Sequence, residues 1–172
     1  GSGDILKSGL GTDKIVGFNG TDFTNAGTII GSATQTNTID GQLNAAGNGS
    51  FVIDLSQELL TVNISTLGVG PFTFNVENFD NVVGTQNDDS IIGNTNANVF
   101  TASAGDDLYD GLVDGDDDTI TYEGLGESIT LLDTGDILKG GSLGTDSIDN
   151  IETIIADSTA TNNTIDGEDN AG

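Results

Sequence analysis

GTQNDDSII, GNTNANVFT, ASAGDDLYD and GLVDGDDDTI follow one another without a gap from Gly84 to Ile120. In strict nine-residue register one position holds Asp89, Asn98, Asp107 and Asp116. Two residues further on stand Ile91, Phe100 and Tyr109, and nine before Ile91 sits Val82. The fourth unit is out of step, so strict spacing selects Asp116 while the order Asp-x-apolar selects Asp118, two residues before Ile120. An oxygen-bearing turn residue followed at constant period by one large apolar residue is the signature of stacked short strands. The expectation is an all-β solenoid of short strands joined by Gly/Asp/Asn turns.

Outward from this stretch the chain repeats itself. GDILKSGLGTDKI (Gly3–Ile15) returns as GDILKGGSLGTDSI (Gly135–Ile148) with one insertion. A second block, NAGTIIGSATQTNTIDG (Asn25–Gly41), returns as NIETIIADSTATNNTIDG (Asn150–Gly167), and NFDNVVGTQNDDSIIG (Asn78–Gly93) is its middle copy. The reading is a single domain over residues 1–172 with modules at about 1–47, 48–127 and 128–172, a fragment of a longer repeat protein. Period-two alternation at Phe51, Ile53 and Leu55, at Leu60, Val62 and Ile64, at Phe72, Phe74 and Val76, and at Ile129 and Leu131 predicts half-buried strands. Apolar residues do not recur at helical spacing, so helix content is expected to be close to nil.

Charge narrows the function. The 172 residues carry 28 acidic side chains against Lys7, Lys14 and Lys139, a net charge of −25. Nucleic-acid binding is excluded by the lack of a basic surface, and an anionic membrane would repel the chain. No apolar run is long enough to insert into a membrane. Without cysteine or histidine, a disulfide framework, a conventional zinc site and a Ser-His-Asp triad are ruled out. A compact body of this charge repels itself unless counter-ions bind.

The carboxylates are gathered in turns, which points to calcium. Calcium takes six to eight hard oxygen ligands, carboxylate and backbone carbonyl alike. Glycines let successive carbonyls face one point. SGLGTDKIV (Ser8–Val16), ASAGDDLYD (Ala102–Asp110) and GSLGTDSID (Gly141–Asp149) have this order, and Asp89 and Asp107, 18 residues apart, would stack on one edge.

These segments resemble the glycine- and aspartate-rich nonapeptide repeats of RTX (haemolysin-type calcium-binding) proteins, G-G-x-G-x-D-x-U-x with U large and apolar. The flanking blocks are similar to those beside such repeats in long bacterial surface proteins. The resemblance implies a right-handed parallel β-roll or β-helix that folds on calcium, in a secreted bacterial protein exported by a type I system. Carried over residue by residue, the metal-binding aspartate falls on Asp13, Asp89, Asp107 and Asp146, with Asp116 or Asp118 in the irregular unit. The carbonyl-donating glycine falls on Gly11, Gly105 and Gly144. Asn98 in place of Asp implies a weaker or vacant half-turn. Phe74, near where Asp146 stands in the last module, implies an apolar turn without metal.

The function expected is a calcium-binding structural or adhesive module, extracellular or at the cell surface, with calcium ions as cofactor and partner. Its open ends imply self-association into a fibril or surface layer, or continuation into neighbouring repeats. Alternatives are a β-helix polysaccharide-active enzyme, disfavoured by the lack of arginine and histidine, and a glycan- or ice-binding module. The tracts TQTNT (Thr34–Thr38) and TATNNT (Thr159–Thr164) would serve that last role if they are more than turn and strand surface. Metal-free capping of turns by Asp and Asn competes with the calcium reading throughout.

Overall fold

The computed structural model describes residues 5–7, 14–16, 27–42, 49–63, 71–113 and 115–165, the first two segments as strands only. Gly11, Asp13 and Ile64 lie outside the described residues. In chain order the strands are β1 (Ile5–Lys7), β2 (Lys14–Val16), β3 (Thr28–Ile30), β4 (Thr38–Asp40), β5 (Ser50–Asp54) and β6 (Leu59–Asn63). Next come β7 (Phe72–Glu77), β8 (Asn81–Val83), β9 (Ser90–Ile92), β10 (Val99–Thr101), β11 (Leu108–Asp110) and β12 (Thr119–Thr121). Last are β13 (Ile129–Leu131), β14 (Ile137–Lys139), β15 (Gly144–Asp149), β16 (Thr153–Ile155) and β17 (Thr164–Ile165). Helix among the described residues is confined to two three-residue 3-10 turns. The fold is all-β.

Two sheets share the strands. One runs β2-β4-β8-β10-β12-β16 and is parallel throughout. The other runs β1-β3-β7-β6-β5-β9-β11-β15-β14-β13-β17 and is mixed. From β8 to β12 the chain alternates between the sheets at each strand, which is what a nine-residue unit of one turn and one short strand produces. Val82 and Phe100 are register partners in the first sheet, and Ile91 and Tyr109 in the second. All four are fully buried. The row continues through Ile39, Val82, Phe100 and Ile120 on one side and Ile53, Ile91 and Tyr109 on the other, forming the core. The phenyl and phenol rings of Phe100 and Tyr109 meet between the sheets, centroids 5.8 Å apart.

The second sheet departs from an all-parallel expectation at two antiparallel meanders, β5-β6-β7 and β13-β14-β15. Their turns are too short for a parallel crossover, which needs a dozen or more residues. Asp54 caps the 3-10 turn Leu55–Gln57 through a hydrogen bond from the Gln57 amide, and Glu58 reverses the chain in the left-handed region. Gly141 and Ser142, both at φ 61°, turn β14 back into β15.

The meanders are equivalent, strand for strand. β7 pairs with β3 through Val76 and Ile29, as β15 pairs with β11 through Ile148 and Tyr109. The Asn75 amide donates to the Gly27 carbonyl, as the Ser147 amide donates to that of Asp107. Leu60 opposes Phe74 as Ile137 opposes Asp146. Gly27, Val62 and Phe74 in the first meander therefore correspond to Asp107, Lys139 and Asp146 in the second.

Candidate functional site

Asp89, Asp107 and Asp146 form one row across β9, β11 and β15, and all are buried. Each carboxylate accepts a backbone N–H from the neighbouring strand. The Phe51 amide donates to Asp89 Oδ1 at 2.6 Å, the Asp89 amide to Asp107 Oδ1 at 2.8 Å, and the Asp107 amide to Asp146 Oδ1 at 3.2 Å. Asp89 also receives the Thr85 amide at 2.6 Å and the Thr85 hydroxyl at 2.8 Å. A strand just three residues long leaves amides unpaired at its edge, and a buried amide must find an acceptor. The aspartate two residues before the core side chain supplies it.

A second row lies beside the other sheet. Asp118 Oδ1 accepts the Asn98 amide at 2.7 Å, and Glu152 Oε2 accepts the Asp118 amide at 2.8 Å. Of the two residues that the irregular unit offered, Asp118 holds the buried place and Asp116 is exposed. Asn98 is itself buried; its Oδ1 accepts the Asn94 amide and its Nδ2 donates to the Asp80 carbonyl at 2.7 Å. An amide side chain serves here because it both accepts and donates.

Gly105 and Gly144 stand at one corner, with φ of 127° and 107°. A Cβ on Gly144 would lie 2.2 Å from the Gly105 carbonyl oxygen, and one on Gly105 would lie 2.7 Å from the Asn87 carbonyl carbon. Close stacking of neighbouring backbones requires glycine at both places, whatever else binds there.

Lys139, projecting from β14, closes the first row. Its side chain and those of Asp107 and Asp146 are inaccessible to solvent. The ammonium donates to the Ser103 carbonyl at 2.7 Å, to Asp107 Oδ2 at 3.1 Å, and to Asp146 Oδ1. Tyr122 donates its hydroxyl to Asp146 Oδ2 at 2.9 Å, and Tyr109 reaches Asp107 Oδ2 at 3.4 Å. Burial pushes the Asp89 carboxyl up to about 6, against its Phe51 and Thr85 donors. Burial also raises Asp107 to about 7, a shift that Lys139 opposes and Asp146 reinforces. Asp146 is raised by burial against the pull of Lys139 and Tyr122, and both phenols are raised, chiefly by burial.

Calcium would need oxygen lone pairs that point at an open position. Along Asp89, Asp107 and Asp146 those oxygens are turned onto N–H and O–H donors, and the Lys139 ammonium stands among three of the site's oxygens, where a cation would. The inward row as arranged does not fit a calcium ion. Among the described residues no three acidic side chains converge so as to hold a metal. The outward neighbours Asp88 and Asp106 are exposed and stack as well, the Asp106 amide on Asp88 Oδ1 at 2.9 Å and the Thr145 amide on Asp106 Oδ1 at 2.8 Å.

Reasoning from the nonapeptides missed Lys139, Tyr122, Thr85 and Glu152. For Lys139 a signal existed: ILK and GTD occur together in both Gly3–Ile15 and Gly135–Ile148, whereas Leu60-Thr61-Val62 and Phe72-Thr73-Phe74 replace both in the middle. No protein-family model matches the chain, and no curated protein is significantly similar to it.

Proposed function

We propose that the chain is a structural or adhesive module of a secreted, acidic bacterial surface protein, built as a right-handed parallel β-roll. The observation that carries this is the strand order β2-β4-β8-β10-β12-β16, monotonic along the chain. A chain that adds one strand per winding grows along one axis and serves as a spacer or platform. The likeness of its turns to RTX repeats supports secretion and a surface location.

Calcium, in this reading, is a counter-ion of the outward carboxylates and not a core ligand. Asp88 and Asp106 place like charges on neighbouring strands of a chain with net charge −25. At extracellular calcium levels, affinities of ~10⁻⁴–10⁻³ M suffice for occupancy. Calorimetric titration with calcium, alongside far-ultraviolet circular dichroism, tests the proposal. Millimolar uptake that raises the melting temperature, with the β signal retained in chelator, supports it. Collapse of the β signal in chelator would mean that the inward row opens to take metal, and absence of uptake would remove calcium from the function.

One observation favours a second reading, glycan binding. A groove of about 500 Å³ is lined by Ser32, Gln35, Glu58, Asp80, Asn94 and Asn96 among others. Hydroxyl, amide and carboxylate groups in a cleft of this size suit neutral sugar hydroxyls. Binding to a neutral glycan array that is lost in Asp80→Ala would establish it; an array without hits would end it.

A further inference from the structure

Lys139, Asp107 and Asp146 bring an amine and two carboxyl groups into contact with no solvent access to any of the three side chains. Phe100, Tyr109, Tyr122 and Ile137, all fully buried, belong to the same core. An amine and a carboxyl group held in contact away from water meet as an intramolecular pair of high effective concentration. A buried lysine is also the form of that residue best suited to act as a nucleophile.

We propose that Lys139 and Asp146 condense into an intramolecular amide, a covalent cross-link between β14 and β15, with Asp107 as the catalytic carboxyl. Lys139 Nζ attacks Asp146 Cγ, forming the C–N bond. The Tyr122 hydroxyl, on Oδ2 at 2.9 Å, stabilises the negative charge that develops there. Asp107 Oδ2, 3.1 Å from Nζ, takes a proton from the nitrogen and returns it to Oδ1. The Cγ–Oδ1 bond breaks and Oδ1 leaves as water. Two of the three ammonium protons end on that water and one stays on the amide nitrogen, so atoms and charge balance without any co-reactant. The Ser103 carbonyl, 2.7 Å from Nζ, orients the amine through its remaining proton.

The other meander supplies an internal control. There the three positions hold Val62, Phe74 and Gly27, so amine, acceptor and catalytic carboxyl are absent together. The inference stands independently of calcium and of a surface location.

The test is the mass of the purified intact chain under denaturing conditions. The expected value is one water below the sequence mass, and proteolysis after Leu143 must leave the fragments carrying Lys139 and Asp146 joined. Lys139→Arg, which keeps the charge, should return the full mass, and Asp107→Asn should leave most of the chain at full mass. A wild-type chain at full mass overturns the proposal. So does a water loss that persists in Lys139→Arg, since Asp-Gly pairs such as Asp40-Gly41 and Asp110-Gly111 can cyclise with the same mass change. Fragments joined through Asp107 would overturn the choice of acceptor, and wild-type conversion in Asp107→Asn would overturn the role of Asp107.

Discussion

Lys139→Met keeps most of the stem volume but removes both the ammonium that balances Asp107 and Asp146 and the amide that its condensation with Asp146 would give. Measured against the uncondensed chain, breaking a buried ion pair by deleting one partner costs about 3–5 kcal/mol, because the remaining charge is uncompensated. For a chain of this length ~1 kcal/mol corresponds to about 2–4 °C, so the melting temperature should fall by roughly 10 °C. The first meander indicates how the loss can be repaired. Asp107→Gly, Lys139→Val and Asp146→Phe together install Gly27, Val62 and Phe74 at their equivalent places. Replacing a buried ionic cluster by packed apolar groups is often neutral or stabilising by ~1–4 kcal/mol, so the triple variant should recover part of the loss, offset by about 1–3 kcal/mol for the Asp89 amide that loses its Asp107 acceptor. Urea denaturation of wild type, single and triple variants gives the three free energies, with the slope checked for unchanged two-state behaviour. If Lys139→Met lies within ~0.5 kcal/mol of wild type, the range of an ordinary surface substitution, Lys139 stabilises the site neither as an ammonium nor as an amide. If the triple variant is as unstable as the single one, the equivalence of the meanders fails as an energetic statement.

Acidity should act in the direction of the raised carboxyls. Asp89 and Asp107 bind protons more tightly folded than unfolded, so stability falls as pH rises from the ordinary 3.8 to about 7. Self-repulsion of the net charge has the same sign, and melting should be several degrees higher at pH 5 than at pH 8 without calcium; an increase toward pH 8 would refute it. Asp157, held down to about 2 chiefly by Thr159 and Gly126, acts oppositely, but only below 3.8 and outside that window. Gly144→Ala should destabilise by more than ~1 kcal/mol, since the added methyl meets the Gly105 carbonyl at φ 107°; an unchanged urea midpoint would show that the corner relaxes freely. Asp118→Ala should cost about 1–3 kcal/mol by depriving the buried Asn98 amide of its acceptor, whereas Asp118→Asn keeps an acceptor and should cost less. Equal losses in the two variants would assign the effect to something other than that hydrogen bond.

The alternation of Val82, Ile91, Phe100 and Tyr109 was legible because burial follows side-chain size and period, both written in the chain. The place of Asp118 was legible through its distance from Ile120 more than through the nine-residue count, since the core side chain sets the register and the turn absorbs the extra residues. The antiparallel meanders were not legible. Period-two alternation in Phe51–Leu55 and Leu60–Val62 reads the same for a parallel or an antiparallel partner, and strand direction is decided by turns such as Leu55–Glu58. Leu55, expected to extend the first strand, instead begins that turn and stays buried. The partners of the aspartates were equally hidden, because Asp107 and Lys139 are far apart in the chain and come together only through the pairing of β11, β15 and β14.

The inward position at the edge of a short strand is where a side-chain acceptor is called for, and this chain fills it in several ways. Asp89 is held by backbone amides and the Thr85 hydroxyl, Asn98 carries its own donor, and Asp146 is shared between Lys139, Tyr122 and the Asp107 amide. Phe74 has no acceptor to offer, and the residue before its partner strand is Gly27, without a carboxylate to be answered. Acceptor, donor and cation thus change together from one meander to the other. A nonapeptide with aspartate at the right place specifies a turn and a buried oxygen; the neighbouring strand decides whether that oxygen meets an amide or an ammonium. A count of such nonapeptides is therefore not a count of calcium sites where a lysine such as Lys139 stands among the same oxygens.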